Sequence, residues 1–376
     1  MAGGSGLLSR GRDSAAEAGM RVLERLFGQE VLPPEAVDRN SIRSILVVRQ
    51  HDQLGDFLLS TPVVRALRGH FPAARIGLLV RGYFQGIARL VPSVDEVLVY
   101  RERIPDWSWK NGGSFLRALR GRWDLAVVPT TVSHSLTSDF LAHYSGARYL
   151  LGSEARVFRG ATRNFFYNLV ARACDEGRHQ TQCNLDIVRH IGVDTADPSP
   201  RLVISESERH AALRGLAELG FRSGLPAVAM HLGAGKKPNR WPVAHFAELA
   251  RRVSGPGGAQ VILFWGPGEE ELRSRFAESA GVQTIDAGHP ELARLGAICA
   301  ECTALVCNDT GIMHLGAAAG APVVAIFGPT DPEIWKPLGA GVIALRALSH
   351  RTEDVPVAGA MSALRSLVGD RIPLLP

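Results

Sequence analysis

The sequence predicts an α/β protein built from two doubly wound parallel-sheet domains, and three observations predict it. Short apolar runs recur at Ile45–Val48, Ile76–Val80, Glu96–Val99 and Leu125–Val128, each bounded by turn residues or a stretch of helical spacing such as Thr61–His70. A second series follows at Ala227–Met230, Val261–Trp265, Thr284–Asp286, Ala304–Cys307 and Val323–Phe327, interrupted by helical Val243–Val253 and Glu269–Ala280. Hydrophobic residues make up 46% and charged residues 21% of 376 residues, which suits two globular domains and excludes a disordered chain. A run with no polar alternation marks a strand buried on both faces, as in a parallel sheet covered by helices.

From the amino end, residues 1–40 form an extension. Within it Ala15–Phe27 has amphipathic helical spacing, with Met20, Val22, Leu23, Leu26 and Phe27 apolar and Arg21, Glu24 and Arg25 polar. Such a helix packs on a core or lies on a membrane surface. VLPPEAVDRN then reads as a linker. The first domain spans 41–200 and the second 201–350, with DTADPSPRLVIS as the hinge region. Residues 351–376 are a terminal helix, Val355–Val368, and a tail.

Composition narrows the chemistry. The net charge of +5 rests on arginine, since only four lysines occur, at 110, 236, 237 and 336. It suits an acidic small substrate or an anionic membrane surface as well as a nucleic acid, but no nucleic-acid-binding signature accompanies it. The amino terminus lacks the apolar core of a secretory signal, and no apolar stretch is long enough to span a bilayer. Five sparse cysteines read as reduced, buried thiols of a cytoplasmic protein. Cys299-x-x-Cys302 lacks the second pair or histidine of a zinc site.

In open α/β sheets ligands bind beyond the carboxyl ends of the strands, so the loops there carry the chemistry. The first is RQHDQLGDFLLSTP, residues 49–62, with Asp52, Gly55 and Asp56 before a helix. Asp56 is an N-cap, a general base, or both. No D-x-D occurs, which argues against a metal-bridged diphosphate.

The second loop is HLGAGKKPNRWP, residues 231–242. Gly233, Ala234 and Gly235 let backbone N–H groups approach an anion, and Lys236, Lys237 and Arg240 neutralise it. It is neither a Walker A motif nor a dinucleotide fingerprint. The third, FWGPGEEE, offers Glu270 to a ribose hydroxyl. Glu270 and Glu278 share an E-x7-E spacing, yet ELRSRFAES reads as an exposed helix. The fourth is ALVCNDTGIMHLGAAAGA, residues 304–321. Asn308 or Asp309 caps a helix there, leaving the N–H groups of Thr310, Gly311 and Ile312 as a diphosphate site, with His314 one turn in. Asp-Thr-Gly is also the aspartic-protease tripeptide, but a single copy between a parallel strand and a helix is the wrong context.

These loops together resemble glycosyltransferase family 9, the ADP-heptose:lipopolysaccharide heptosyltransferases of the GT-B fold. The resemblance runs from about Ser44 to Gly339 and is most specific in LVCNDTGIMHLGAAAGAPVVAIFGPTDP. It implies two Rossmann-like domains facing across a cleft, with the acceptor on the first and the nucleotide-sugar on the second. It implies Asp56 as the base, Asp309, Thr310, Gly311 and His314 at the diphosphate and sugar, and Glu270 at the ribose. Neither cofactor nor metal is implied. The expected reaction is inverting transfer of heptose from ADP-heptose to an anionic glycolipid or glycan, with possible peripheral contact at the inner membrane. The acceptor side would include Gly55 and the arginines Arg156, Arg159 and Arg163 of RVFRGATRNFFYNLVAR, a stretch that otherwise reads as a solvated helix with an aromatic core face. One departure stands out. Where the family has Lys-Arg-Trp-Pro, this chain has Asn239-Arg240-Trp241-Pro242, so Lys236 or Lys237 substitutes or the donor differs. A nucleotide-sugar epimerase or hydrolase of similar build is the alternative, and would need more acids near the anomeric carbon.

Overall fold

A computed structural model describes residues 5–372 except Asp52, Trp107, Arg122, Arg156, Pro256 and Ala340, and no side chains for 5–15, Ile104 and Asp370. Asp52 and Arg156 of the sequence reading therefore lie outside the described residues. The chain forms two compact units. The first holds 1–52, 62–89 and 93–197, and the second holds 53–61, 90–92 and 198–376. The chain thus changes unit at Pro198, inside the stretch read as the hinge. It also lends the second unit two early segments, Gln53–Thr61 and Leu90–Pro92.

Each unit carries one six-stranded, wholly parallel sheet. In the first unit the strands are β1 (Ser44–Arg49), β2 (Arg75–Arg81), β3 (Glu96–Tyr100), β4 (Leu125–Val127), β5 (Tyr149–Ser153) and β6 (Leu169–Ala171), ordered β3-β2-β1-β4-β5-β6. In the second they are β7 (Ala227–His231), β8 (Gln260–Phe264), β9 (Thr284–Gly288), β10 (Ala304–Asn308), β11 (Val323–Phe327) and β12 (Val342–Arg346), ordered β12-β11-β10-β7-β8-β9. Renumbered from its own start, the second order is the first reversed. Both sheets therefore switch winding direction between their first and fourth strands, β1/β4 and β7/β10. β1, β4, β7, β10 and β11 are buried at every residue, the consequence of helices on both faces.

The second unit's core gathers Trp241, Phe246, Phe276, Leu263 and Leu364 around the sheet, and the Val357–Val368 helix closes it. Each fully buried side chain of this size contributes about 1.5–3 kcal/mol. The first unit's core joins Leu46, Val48, Leu141, Phe165, Phe166 and Tyr167.

The amino-terminal helix runs over Ser5–Phe27, and Met20, Leu23 and Phe27 pack on that core. Phe27 meets Phe140 edge-on at 5.3 Å and stacks on Phe166 at 5.7 Å. Of the two readings left open for this helix, its carboxyl half takes the core-packed one.

Two expectations are corrected. Residues 157–172 do not form a helix: they are a loop running into β6, and Phe165, Phe166 and Tyr167 are fully buried. Consecutive apolar side chains cannot all reach one helix face, and here they fill the core from an irregular segment. The cysteines are not all reduced. Cys174 and Cys183 form a disulfide, while Cys299, Cys302 and Cys307 are free and buried. Burial pushes the Cys299 thiol up to about 12, so it stays protonated and packs as an apolar group. Among the described residues no helix is long and apolar enough to cross a membrane.

Candidate active site

The site grows from the β7/β10 switch point of the second unit. β10 runs through Asn308, whose buried side chain clasps the neighbouring loop. Its Nδ2 donates to Leu232 O at 2.8 Å and Gly233 O at 3.1 Å, and its Oδ1 accepts from the Trp241 N–H at 2.9 Å. Asn308 is therefore a strut rather than a cap. Thr310 is the N-cap of the Gly311–Ala318 helix, its hydroxyl accepting from the Ile312 N–H at 3.2 Å. That corrects the expected cap and engages one of the three expected donors. The N–H groups of Thr310 and Gly311 find no protein acceptor among the described residues. They open at the positive end of a helix of small residues, where an anion is favoured.

Asp309 lies between strut and cap. Asn239 Nδ2 donates to Asp309 Oδ2 and to Thr330 Oγ1, both at 3.1 Å, so one amide ties the loops after β7, β10 and β11. Burial pushes the Asp309 carboxyl above its ordinary range, against the Thr330 hydroxyl and the Lys236 charge. Asn239, where the family pattern has lysine, supplies no cation to it. Lys236 and Lys237 are exposed on the rim, and Arg240 Nε turns inward to Ala234 O at 2.9 Å, closing the loop. Among the described residues no three His, Cys, Asp or Glu side chains gather as metal ligands.

A second acid on this floor is Glu269, the neighbour of Glu270. Glu270 is exposed and accepts from the Gly268 N–H at 3.3 Å. The Glu269 carboxylate accepts from the Gly266 N–H at 2.7 Å and lies 3.6 Å from His231 Nε2. It fills the space where a Cβ on Gly233 would stand, 1.7 Å from Oε1. Burial lowers the His231 pKa, with Glu269 opposing. The available signal was Gly233 itself, a glycine facing the Gly-Pro-Gly turn.

The helix that carries Asp56 reaches the same floor by a glycine contact. The Leu54–Ser60 helix belongs to the second unit, and Gln53 occupies its N-cap, so Asp56 is a first-turn residue and not the cap. Beside it, a Cβ built on Gly55 would stand 3.0 Å from the buried His314 ring, and Gly311 Cα lies within 3.9 Å of that point. A Cβ on Gly311 would stand 2.7 Å from Leu54 Cβ. Two glycines thus let the acid-bearing helix lie against the start of the Gly311–Ala318 helix. Asp56, Asp309, Thr310, Gly311 and His314, far apart in sequence, come together in one compact unit.

Two of the expected acceptor arginines, Arg159 and Arg163, belong to the first unit. Arg159 is exposed and pairs with Glu17 of the amino-terminal helix at 2.6 Å. Arg163 donates to the carbonyls of Tyr167 and Gln29.

Comparison with known proteins then decides the family. Residues 113–356 match the model of glycosyltransferase family 9 (heptosyltransferase). The chain belongs to glycosyltransferase family 9. Lipopolysaccharide heptosyltransferase 2 of Salmonella typhimurium is 28% identical over 315 residues, 79% of this chain and 86% of that protein. A family 9 glycosyltransferase structure from Veillonella parvula superposes with a TM-score of 0.75 at 23% identity, covering 87% of this chain and 97% of that one. An Escherichia coli heptosyltransferase solved with ADP-2-deoxy-2-fluoro heptose gives 0.65 at 20% identity, covering 86% and 99%. The two-sheet GT-B fold follows, and the protein is a glycosyltransferase.

Proposed function

We propose that this family 9 enzyme transfers heptose from ADP-heptose to a lipopolysaccharide-core acceptor, with inversion and without a metal. The carrying observation is the Gly55–Gly311 approach, which brings the helix that bears Asp56 against the start of the Gly311–Ala318 helix. The S. typhimurium relative is a lipopolysaccharide heptosyltransferase, and the E. coli relative was solved with an ADP-heptose analogue. In this reading Asp56 takes the proton from the acceptor hydroxyl as its oxygen attacks the anomeric carbon. The bond from that carbon to the diphosphate oxygen breaks, and the new bond forms on the opposite face. The N–H groups of Thr310 and Gly311, with Lys236 and Lys237, take up the charge of the leaving nucleoside diphosphate. Gly233, Ala234 and Gly235 line its approach, and Arg240 holds their loop. Asp309 and His314 orient the sugar. Glu269, in place of Glu270, meets the ribose.

The first unit takes the anionic acceptor, with Arg159 at its margin, and the enzyme works at the cytoplasmic face of the inner membrane. Thermal shift with ADP, UDP, GDP and CDP, followed by product analysis with ADP-heptose in EDTA, tests the reading. ADP alone should stabilise the protein, and transfer should survive EDTA. Equal shifts for all four nucleotides, or loss of transfer in EDTA, would overturn it.

A further inference from the structure

The first unit carries an apolar groove that the reaction above does not use. It lies between the Trp109–Leu119 helix, which falls between β3 and β4 in the chain, and the Leu136–Tyr144 helix after β4. The first helix turns Phe115, Leu116 and Leu119 to it, and the second turns Phe140, Leu141 and Tyr144. The spacing is the same in both, one apolar face of each helix. Two such faces ordinarily close on each other. Here each begins one turn earlier with a small residue, Gly112 or Thr137, and a space of about 450 Å³ remains between them. No charged side chain lines it among the described residues. Leu116 is 48% and Tyr144 43% exposed, so the groove opens to the surface.

Its rim is basic. The Trp109–Leu119 helix contains no acidic residue, and Lys110, Arg117 and the C-capping Arg120 stand exposed along it. None of the three pairs with a carboxylate among the described residues, whereas Arg75 and Arg81 of β2 pair with Glu96 and Glu102. The Arg120 guanidinium lies 4.2 Å over the Tyr144 ring, on one wall of the groove. Trp109 is 100% exposed. It stands on a fixed helix start, because Ser108 Oγ accepts from the Asn111 N–H at 3.2 Å and Asn111 Oδ1 accepts from the Ser108 N–H at 2.7 Å. A helix with exposed Trp and Leu beside cations has the make-up of one lying in a lipid headgroup layer, its indole at the interface and its cations reaching phosphate. Cations without acids call for an anionic partner, and an uncharged groove calls for an apolar one. An anionic phospholipid carries both in one molecule.

We infer that this face docks on an anionic bilayer, with one phospholipid acyl chain in the groove and Lys110, Arg117 and Arg120 on headgroup phosphates. This rests on the reading that the enzyme works at a membrane, and names the surface that meets it. The test is binding of the full chain to vesicles, with no donor or acceptor sugar present. The vesicles are phosphatidylcholine alone, or equimolar phosphatidylcholine and phosphatidylglycerol, each with a trace of phospholipid bearing a photoreactive diazirine on its acyl chain. Wild type should bind the mixed vesicles about a hundredfold more tightly than the neutral ones, as for three basic residues at the surface. Arg117→Gln should weaken that binding about fivefold. Cross-links should fall on residues 112–119 and 137–144. Thr137→Trp, which fills the groove, should abolish those cross-links and weaken binding. Leu116→Gln, at an exposed position, should weaken both severalfold, and it decides alone if Thr137→Trp does not fold. Equal binding to both vesicles would overturn the inference and leave the membrane reading standing. So would cross-links confined elsewhere, as on exposed Val22 and Leu26 of the amino-terminal helix, or binding that Leu116→Gln leaves unchanged. A dimer in solution that Leu116→Gln dissociates would give the groove to a second copy and overturn it as well. No binding by wild type to either vesicle would overturn both the inference and the membrane reading, and none of these results depends on which sugar is transferred.

Discussion

The two units share one strand order and close the same point of it with opposite chemistry. At β7/β10 the second unit presents backbone: glycines, two helix-start N–H groups and a loop held by the Asn308 strut. At β1/β4 the first unit presents side chains, with Gln50, Ser135, Ser138, Asp139 and His134 in contact. A backbone cradle fits any diphosphate of the right reach, whereas a side-chain network fits one arrangement of hydroxyls and charges. In the proposed reading the second unit would grip the leaving group and the first unit its partner.

The largest expected break in that comparison is at Asp56, the proposed base, which belongs to neither grip. Asp56→Asn should lower kcat about 10²–10⁴-fold, the usual worth of a general base. ADP affinity by calorimetry should stay within about twofold. A parallel loss of ADP binding would make Asp56 part of the cradle.

Next is the glycine contact. In Gly311→Ala the new Cβ meets Leu54 Cβ at 2.7 Å, close to backbone on both sides, so the two helices must part. A displacement of about 1 Å at a reacting centre costs about 10²-fold, and kcat should fall by that order. Gly235→Ala, which points into open space, should change it little. Similar rates for the two variants would show that helix proximity does not set the reaction.

A smaller effect separates stability from activity. Asp309 has its carboxyl raised by burial, so folding favours its protonated form. Its stabilising share is present at low pH and is lost as pH rises through the raised value. Asp309→Asn should therefore raise the thermal midpoint by roughly a few degrees at pH 7. The gain should close as acid protonates the wild-type carboxyl, while transfer slows at every pH. A midpoint that falls at pH 7 would contradict the sign.

How legible this was depended on whether a feature is a pattern or a choice between neighbours. The central strands of both sheets are uninterrupted apolar runs, and they stood out. β5 ends in Gly152-Ser153, β6 is three residues long and β12 is half-buried throughout, so none of these edge-side strands carries the signal. The strand-to-helix junction was legible as Asn-Asp-Thr-Gly, but the residue that caps was not. All three polar types can cap, and β10 extending through Asn308 moves the cap to Thr310. Glu269 over Glu270 is likewise a one-residue choice, made by the Gly266–Gly268 turn. The contact between Asp139 and Tyr167 has no local trace, because 28 residues separate them and only packing joins them.

The finest test of the comparison lies at Asn239, where a neutral amide stands between three loops. Asn239→Ala removes two neutral hydrogen bonds, each worth about 0.5–1.5 kcal/mol, and should weaken ADP binding several-fold. Asn239→Lys places a cation beside Asp309, which should draw that carboxyl back toward its ordinary range. The stabilisation from Asp309→Asn should then vanish in the Asn239→Lys background, a coupling that a double-mutant cycle of thermal midpoints measures directly. Additive effects would mean that Asp309 is raised by burial alone, and that the neutral bridge tunes loop geometry without tuning charge.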